Sequence, residues 1–143
     1  MTSTSDLTEL PGHLIRRLNQ RSTAIFQDRM KEAGHDLTSV QFAALDMLNL
    51  HPGTDQAGLA TMIAYDRATI GGVVQRLEQK GLVARQIDEN DRRARRLTLT
   101  PAGHKLLMQL SPMVAALQAE ILGNLSDAER AQFINLAKRA IMG

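Results

Sequence analysis

Cysteine is absent from the 143 residues, so neither a disulfide framework nor thiolate chemistry is open to this chain. Tryptophan is absent too, and three phenylalanines and one tyrosine bring the aromatics to only 3%. A hydrophobic content of 43% still suffices for a core, but Leu, Ile, Val, Met and Ala have to pack it. No apolar run approaches the ~20 residues that span a bilayer. The opening MTSTSDLTEL lacks the charged-then-apolar pattern of a signal peptide, so an intracellular, cytoplasmic protein with no membrane partner is expected. The charge balance, 17 basic against 15 acidic residues for a net of +2, is too even to argue for nucleic acid by itself.

Catalytic signals are equally sparse. The histidines at 13, 35, 51 and 104 form no short metal-ligand spacing. There is no glycine-rich phosphate loop, nucleophile elbow or paired-carboxylate motif. No catalytic residue, metal site or cofactor is therefore expected, and an enzyme is not the reading.

What the chain does have is concentrated between Asp66 and Thr100, in the run DRATIGGVVQRLEQKGLVARQIDENDRRARRLTLT. Ile70, Val73, Val74 and Leu77 recur at helical spacings, and Gly81 supplies a stop. Two strand-like runs, Leu82–Ile87 and Arg96–Leu99, enclose the turn-forming tip Asp88-Glu89-Asn90-Asp91. Arg92, Arg93, Arg95 and Arg96 then crowd together within the same hairpin. A short helix over Gln56–Ala64, joined through Tyr65 to the Asp66 helix, completes a helix-turn-helix in its expected order. With the cationic hairpin behind it, this predicts a winged helix-turn-helix, the second helix sized for a major groove and the hairpin for the backbone or minor groove.

The flanks read as helices. Leu10 or Pro11 to about Ala33 is a long one, with Pro11 in its first turn, Gly34 as its stop, and Leu14, Leu18 and Ile25 on one face. Thr38 with Gln41 forms a capping box for a second helix carrying Phe42, Leu45 and Leu48, which His51-Pro52-Gly53 breaks. Thr54 or Asp55 caps the short third helix, where Leu59, Met62 and Ile63 should face inward. Thr100-Pro101 opens another helix, in which Leu107, Leu110, Val114, Leu117 and Ile121 make a heptad seam and Pro112 should kink or weaken one turn. Ser126 and Glu129 make a second capping box, opening a last helix with Phe133, Leu136 or Ala137, and Ala140 expected inside.

Asp66-Arg67-Ala68-Thr69, Arg76-Leu77-Glu78, Gly81-Leu82-Val83 and above all Asp91-Arg92-Arg93 before Leu97-Thr98-Leu99-Thr100-Pro101-Ala102-Gly103 resemble the MarR family of bacterial transcriptional regulators. The resemblance covers nearly the whole chain. It implies a mainly α fold: one MarR-like domain over 1–143, with a winged helix-turn-helix lobe over 38–100 and a helical dimerisation region from both termini, 10–33 and 101–142. The thiol-based peroxide sensing of one branch of that family is excluded by the missing cysteine.

On the recognition helix, Arg67, Ala68 and Thr69 should lie nearest the bases, Arg67 able to grip guanine bidentately and Thr69 able to meet a base edge or a phosphate. Asp66 suits a helix cap better than a base contact, since its charge opposes phosphate. Gln75 and Arg76 lie further along, Arg76 placed for a phosphate or for an acidic neighbour. The glycine pair at 71 and 72 is costly in a helix; close packing against the third helix or close approach to DNA would each explain it. On the wing, the resemblance puts Arg93 at the tip in the minor groove with Asp91 holding its side chain, while Arg92, Arg95 and Arg85 meet phosphates or solvent.

The terminal helices offer more apolar surface than a small winged lobe needs, and the resemblance implies a homodimer. Two recognition helices would then face the half-sites of a pseudo-palindromic operator on double-stranded DNA. A charge at Leu117 or Ile121 is expected to break that dimer. The run Leu10-Pro11-Gly12-His13-Leu14-Ile15-Arg16-Arg17-Leu18 is similar to that of family members answering to aromatic carboxylates, whose pocket lies between the dimerisation helices and the winged lobe. It nominates His13, Arg16 and Arg17, together with His51, as ligand residues: an arginine fork for the carboxylate and an imidazole for a ring hydroxyl. Surface or inter-subunit ion pairs are the plainer use of those arginines. The expected function is a dimeric, sequence-specific, ligand-responsive repressor. An architectural DNA-binding protein without an effector, or a helical scaffold using the heptad seam, are the alternatives.

Overall fold

The computed structural model describes residues 6–63, 65–87, 90 and 95–143. After a single 3₁₀ turn, Leu7–Glu9, the elements are α1 (Pro11–Glu32), α2 (Ser39–Leu50), α3 (Gln56–Met62), α4 (Arg67–Gln79), β1 (Val83–Ile87), β2 (Arg95–Leu99), α5 (Pro101–Ile121) and α6 (Asp127–Met142). The fold is mainly α with one two-stranded antiparallel sheet, in the helix-turn-helix-then-wing order that the sequence predicts.

Local chemistry sets the boundaries. Thr38 and Gln41 form the anticipated capping box at α2, and Ser126 and Glu129 form the second one at α6. Asp55 rather than Thr54 caps α3, its carboxylate accepting from the Gly58 N–H at 2.7 Å. Thr54 serves elsewhere: its backbone makes a β-bridge with Leu97, a second, one-residue pairing beside the β1–β2 ladder, with Gly53 N–H to Leu97 O and Leu97 N–H to Thr54 O both at 2.9 Å. No alternating pattern advertises a one-residue bridge. At Gly81, φ is +74°, the left-handed value that ends a helix and that glycine adopts without strain.

The chain forms two compact units, Phe26–Pro112 and the pair of terminal segments Met1–Ile25 and Met113–Gly143. The central unit carries the winged lobe. Leu45, Leu59, Ile70, Val74, Leu77, Leu97 and Leu107 are almost wholly buried there, and Phe26 meets Phe42 with ring centroids 6.1 Å apart. The β-ladder pairs Val83 with Leu99 and Arg85 with Leu97, ending at Ile87 and Arg95. In the terminal unit, Arg21 of α1 binds the end of α5, its guanidinium donating to the carbonyls of Ile121 (2.9 Å) and Glu120 (3.1 Å).

Three sequence expectations about burial need correction. Met62 is 37% exposed and does not face the core. None of α6 is buried: Phe133, Leu136 and Ala140 are exposed, and Ala137 is only half-buried. Their helical periodicity is real, but the protomer's described elements leave that face uncovered. Conversely, Leu107, Leu110 and Leu117 of the heptad seam are 0%, 2% and 3% exposed, so these three are core within one chain, while Val114 and Ile121 are half-buried. A charge at Leu117 would therefore attack the fold itself, not a dimer contact alone. Helix α5 continues past Pro112, where Ser111 Oγ donates to the Leu107 carbonyl at 2.7 Å. No helix among the described residues is long and apolar enough to cross a membrane.

Candidate nucleic-acid interface

The recognition helix α4 is built by a strict division of faces. Ile70, Val73, Val74 and Leu77 point inward, while Arg67, Ala68, Thr69, Gly72, Gln75, Arg76 and Gln79 are exposed. Asp66 caps the helix, its carboxylate accepting from the Thr69 N–H and from the Thr69 hydroxyl, both at 2.8 Å. The backbone N–H of Thr69, followed by its hydroxyl, holds the Asp66 carboxyl below the usual carboxylate range. The cap also commits the Thr69 hydroxyl proton. What Thr69 can offer DNA without breaking it is an acceptor lone pair and a methyl group, which suit a base edge better than a phosphate.

Beyond the first turn, the polar side chains divide into bound and unbound groups. Arg76 has no acidic partner within ion-pair distance among the described residues, which leaves its charge available to a phosphate. Arg85 on β1 is held by Glu78 of α4, Nε to Oε1 at 2.6 Å, with each side chain about a third exposed. The sequence reading nominated Arg85 and passed over Glu78, seven residues away across a turn, where no helical or strand spacing links the two. Arg96 donates to the Gly53 carbonyl at 3.1 Å, which ties β2 to the loop after α2. Arg95 is exposed at the end of the β-ladder. Asp91, Arg92 and Arg93 lie outside the described residues.

The two helical glycines have different surroundings. A Cβ on Gly71 would come within 3.1 Å of the Gln56 amide nitrogen at the start of α3, whereas one on Gly72 would meet no described atom within 4 Å.

The nominated ligand residues fall into separate units. His13 is half-buried and Arg16 and Arg17 are exposed on α1, in the terminal unit. His51 is exposed in the central unit, where its backbone N–H caps α2 on Met47 O at 2.8 Å. A different feature of the terminal unit escaped the sequence reading: a groove of about 560 Å³ lined by Leu18, Ser22, Ile121, Leu122, Phe133 and Ile134 among others. Leu18, Ile121 and Phe133, each placed on an apolar helix face by spacing, are its trace in the sequence. Among the described residues no cluster of three or more His, Asp or Glu is placed to hold a metal ion.

Known proteins match this arrangement. The family model for the MarR family matches residues 37–94, from the start of α2 to the edge of β2. The HTH-type transcriptional repressor NicR of Pseudomonas putida is 38% identical over 136 residues, 95% of this chain and 85% of that one. Among solved structures, BpsR of Bordetella bronchiseptica, whose DNA binding is regulated by 6-hydroxynicotinic acid, superposes with a TM-score of 0.90 at 32% identity, covering 99% of each chain. The PcaV transcriptional regulator from Streptomyces coelicolor, in complex with its natural ligand, gives a TM-score of 0.87 at 32% identity, again over 99% of each chain. With a capped recognition helix, a basic wing and relatives matched almost end to end, the chain belongs to the MarR family of transcriptional regulators.

Proposed function

We propose that the protein is a homodimeric repressor in the cytoplasm, carrying out no chemical reaction, which binds a pseudo-palindromic operator and lets it go when a small aromatic acid binds. The observation that carries this reading is α4, whose outer face presents Arg67, Gln75 and Arg76 over a buried apolar face, its N-terminus capped by Asp66. Residues 38–100 form the DNA-binding lobe in this reading. Arg67, Ala68, Thr69 and Gln75 face the bases, Arg76, Arg92 and Arg95 serve phosphates while Glu78 keeps Arg85 from them, and Arg93 enters the minor groove with Asp91 as its support.

Dimerisation falls to 10–33 and 101–142. Its support is the exposed apolar surface of the terminal unit, including Leu14, Ile15, Ile134, Leu136 and Ile141, more than a lone protomer would leave in water. The effector reading rests on BpsR and its response to 6-hydroxynicotinic acid, and on the chemistry of His13, Arg16, Arg17 and His51. An acid releases DNA only if it binds more tightly to the arrangement that DNA disfavours, and operator must then weaken acid binding by the same factor.

The test is a binding duplex enriched from a random pool on the unmodified protein, followed by salt titration and calorimetry with benzoate-like and pyridine-carboxylate compounds. Specific binding with a steep negative salt slope is expected, along with lower operator affinity in the presence of at least one acid. Arg16→Ala or Arg17→Ala should abolish the acid response, and Arg93→Ala should weaken operator binding by roughly 1–3 kcal/mol. If acids still release DNA from both α1 variants, the arginine clamp is wrong. If no duplex is enriched, the regulator reading itself falls.

A further inference from the structure

Glycine is among the worst residues for a helix interior, and α4 carries two in succession. At Gly71 a Cβ would at least have a neighbour inside the protomer, the flexible end of the Gln56 side chain 3.1 Å away. At Gly72 it would have none among the described residues. The position is exposed, a Cβ would meet no described atom within 4 Å, and the backbone there is not among those with positive φ, so alanine would fit and would favour the helix. The chain carries a helix-weakening residue whose missing side chain makes room for nothing among the described residues.

Its place on the helix indicates what it serves. At 100° per residue, 72 falls on the outermost ridge with Ala68, Gln75 and Gln79, opposite Ile70, Val73, Val74 and Leu77. A helix lying in the major groove turns that ridge toward the groove floor, while Arg67 and Arg76 reach out from its flanks. We propose that Gly72 sets the depth at which α4 sits in the groove: the missing side chain lets the helix backbone approach the base edges, and a single methyl group there lifts the helix. This rests on the DNA-binding reading above and deepens it. Lifting the helix pulls Arg67 and Gln75 away from the bases together, because bidentate contacts tolerate little displacement. Contacts to phosphate, made by long flexible arginines, adjust.

The experiment compares the unmodified chain, Gly72→Ala and Gly71→Ala. Each is titrated against a duplex enriched from a random pool on the unmodified protein and against a scrambled duplex of equal composition, at one salt concentration. Thermal unfolding is measured at equal protein concentration. Gly72→Ala is expected to melt at the same temperature or higher, to bind the enriched duplex about tenfold or more weakly, and to bind the scrambled duplex within about twofold of the unmodified chain. Gly71→Ala, whose new methyl meets only the end of a flexible amide, should keep its specific affinity. The proposal is overturned if Gly72→Ala retains specific affinity, if its affinity and melting temperature fall together, or if Gly71→Ala loses as much. If the unmodified chain enriches no duplex, the DNA-binding reading fails first and takes the proposal with it.

Discussion

Gly103, in the first turn of α5, is buried against the backbone of Leu82 just before the wing. A Cβ at 103 would fall on the Leu82 carbonyl oxygen, 3.0 Å from its carbonyl carbon and 3.3 Å from its Cα. Three hydrogen bonds converge on the same joint. Thr100 N–H donates to Leu82 O at 3.0 Å, the Thr100 hydroxyl donates to Gly81 O at 2.6 Å, and Gly103 N–H donates to the Thr100 hydroxyl oxygen at 3.0 Å. Carbon atoms in contact prefer a separation of about 3.5–4.0 Å. Gly103→Ala therefore forces α5 back by at least ~0.5 Å, and further still to clear the oxygen. The obstacle is backbone held by the hydrogen bonds just named, so it cannot swing aside as a side chain would. Overpacking of this kind belongs near the upper end of its usual range, about 3 kcal/mol, and alanine returns up to ~1 kcal/mol through helix propensity. The net expectation is a loss of about 2 kcal/mol, a fall of roughly 4–8 °C in Tm. Denaturant and thermal unfolding of the whole chain, beside Gly12→Ala as a helical glycine with open space around it, measures this directly. If Gly103→Ala proves as stable as the unmodified chain, the joint between wing and α5 is not the rigid contact described.

Glu78→Gln should release Arg85 and remove a negative charge from the interface. Stability should change by less than ~1 kcal/mol, as befits a partly exposed pair, while DNA binding tightens and the salt slope steepens by about one; weaker binding would refute the idea that Glu78 withholds Arg85 from DNA. Because the Asp66 carboxyl is held below its ordinary value in the folded state, its contribution to stability is complete above the unfolded value and is lost as pH falls through the folded one. Asp66→Asn should therefore flatten the acid limb of the unfolding profile, and an unchanged limb would contradict the assigned cap. Leu136→Glu should yield folded monomers by sedimentation, whereas Leu117→Glu should lose helicity, because Leu117 is 3% exposed and a buried unpaired charge costs several kcal/mol. A folded Leu117→Glu monomer, or a Leu136→Glu dimer, would reverse the roles given to α5 and α6.

Helix existence and order were legible because capping and periodicity are local. Thr38 with Gln41, Ser126 with Glu129, and Asp66 before Thr69 each announce a helix start within four residues, and each cap forms as read. Burial was less legible, because a stripe at helical spacing says that a face is apolar and not which molecule covers it. Leu117 and Leu136 look alike in sequence, yet one lies in the core and the other in solvent. The pairing of Thr54 with Leu97 and the contact of Gly103 with Leu82 join residues far apart in the chain, and composition carries no trace of either.

The same distinction governs the DNA-binding face. Sequence lists the polar groups of α4, but only the structure separates those already satisfied by the protein from those still open. Asp66 and Thr69 hold one another, and Glu78 holds Arg85; these groups shape the helix and its link to the wing without a ligand. Arg67, Gln75 and Arg76 remain on the exposed face, with no hydrogen-bond partner among the described residues. A guanidinium fork matches the paired acceptors of guanine, and a glutamine amide matches the donor and acceptor of adenine. In the proposed reading, these side chains take up a fixed geometry when a major groove supplies the partners. Discrimination between base pairs, in that reading, comes from the penalty of leaving a desolvated Arg67 or Gln75 unpaired over the wrong base, whereas Arg76 on a phosphate would add affinity to every sequence alike.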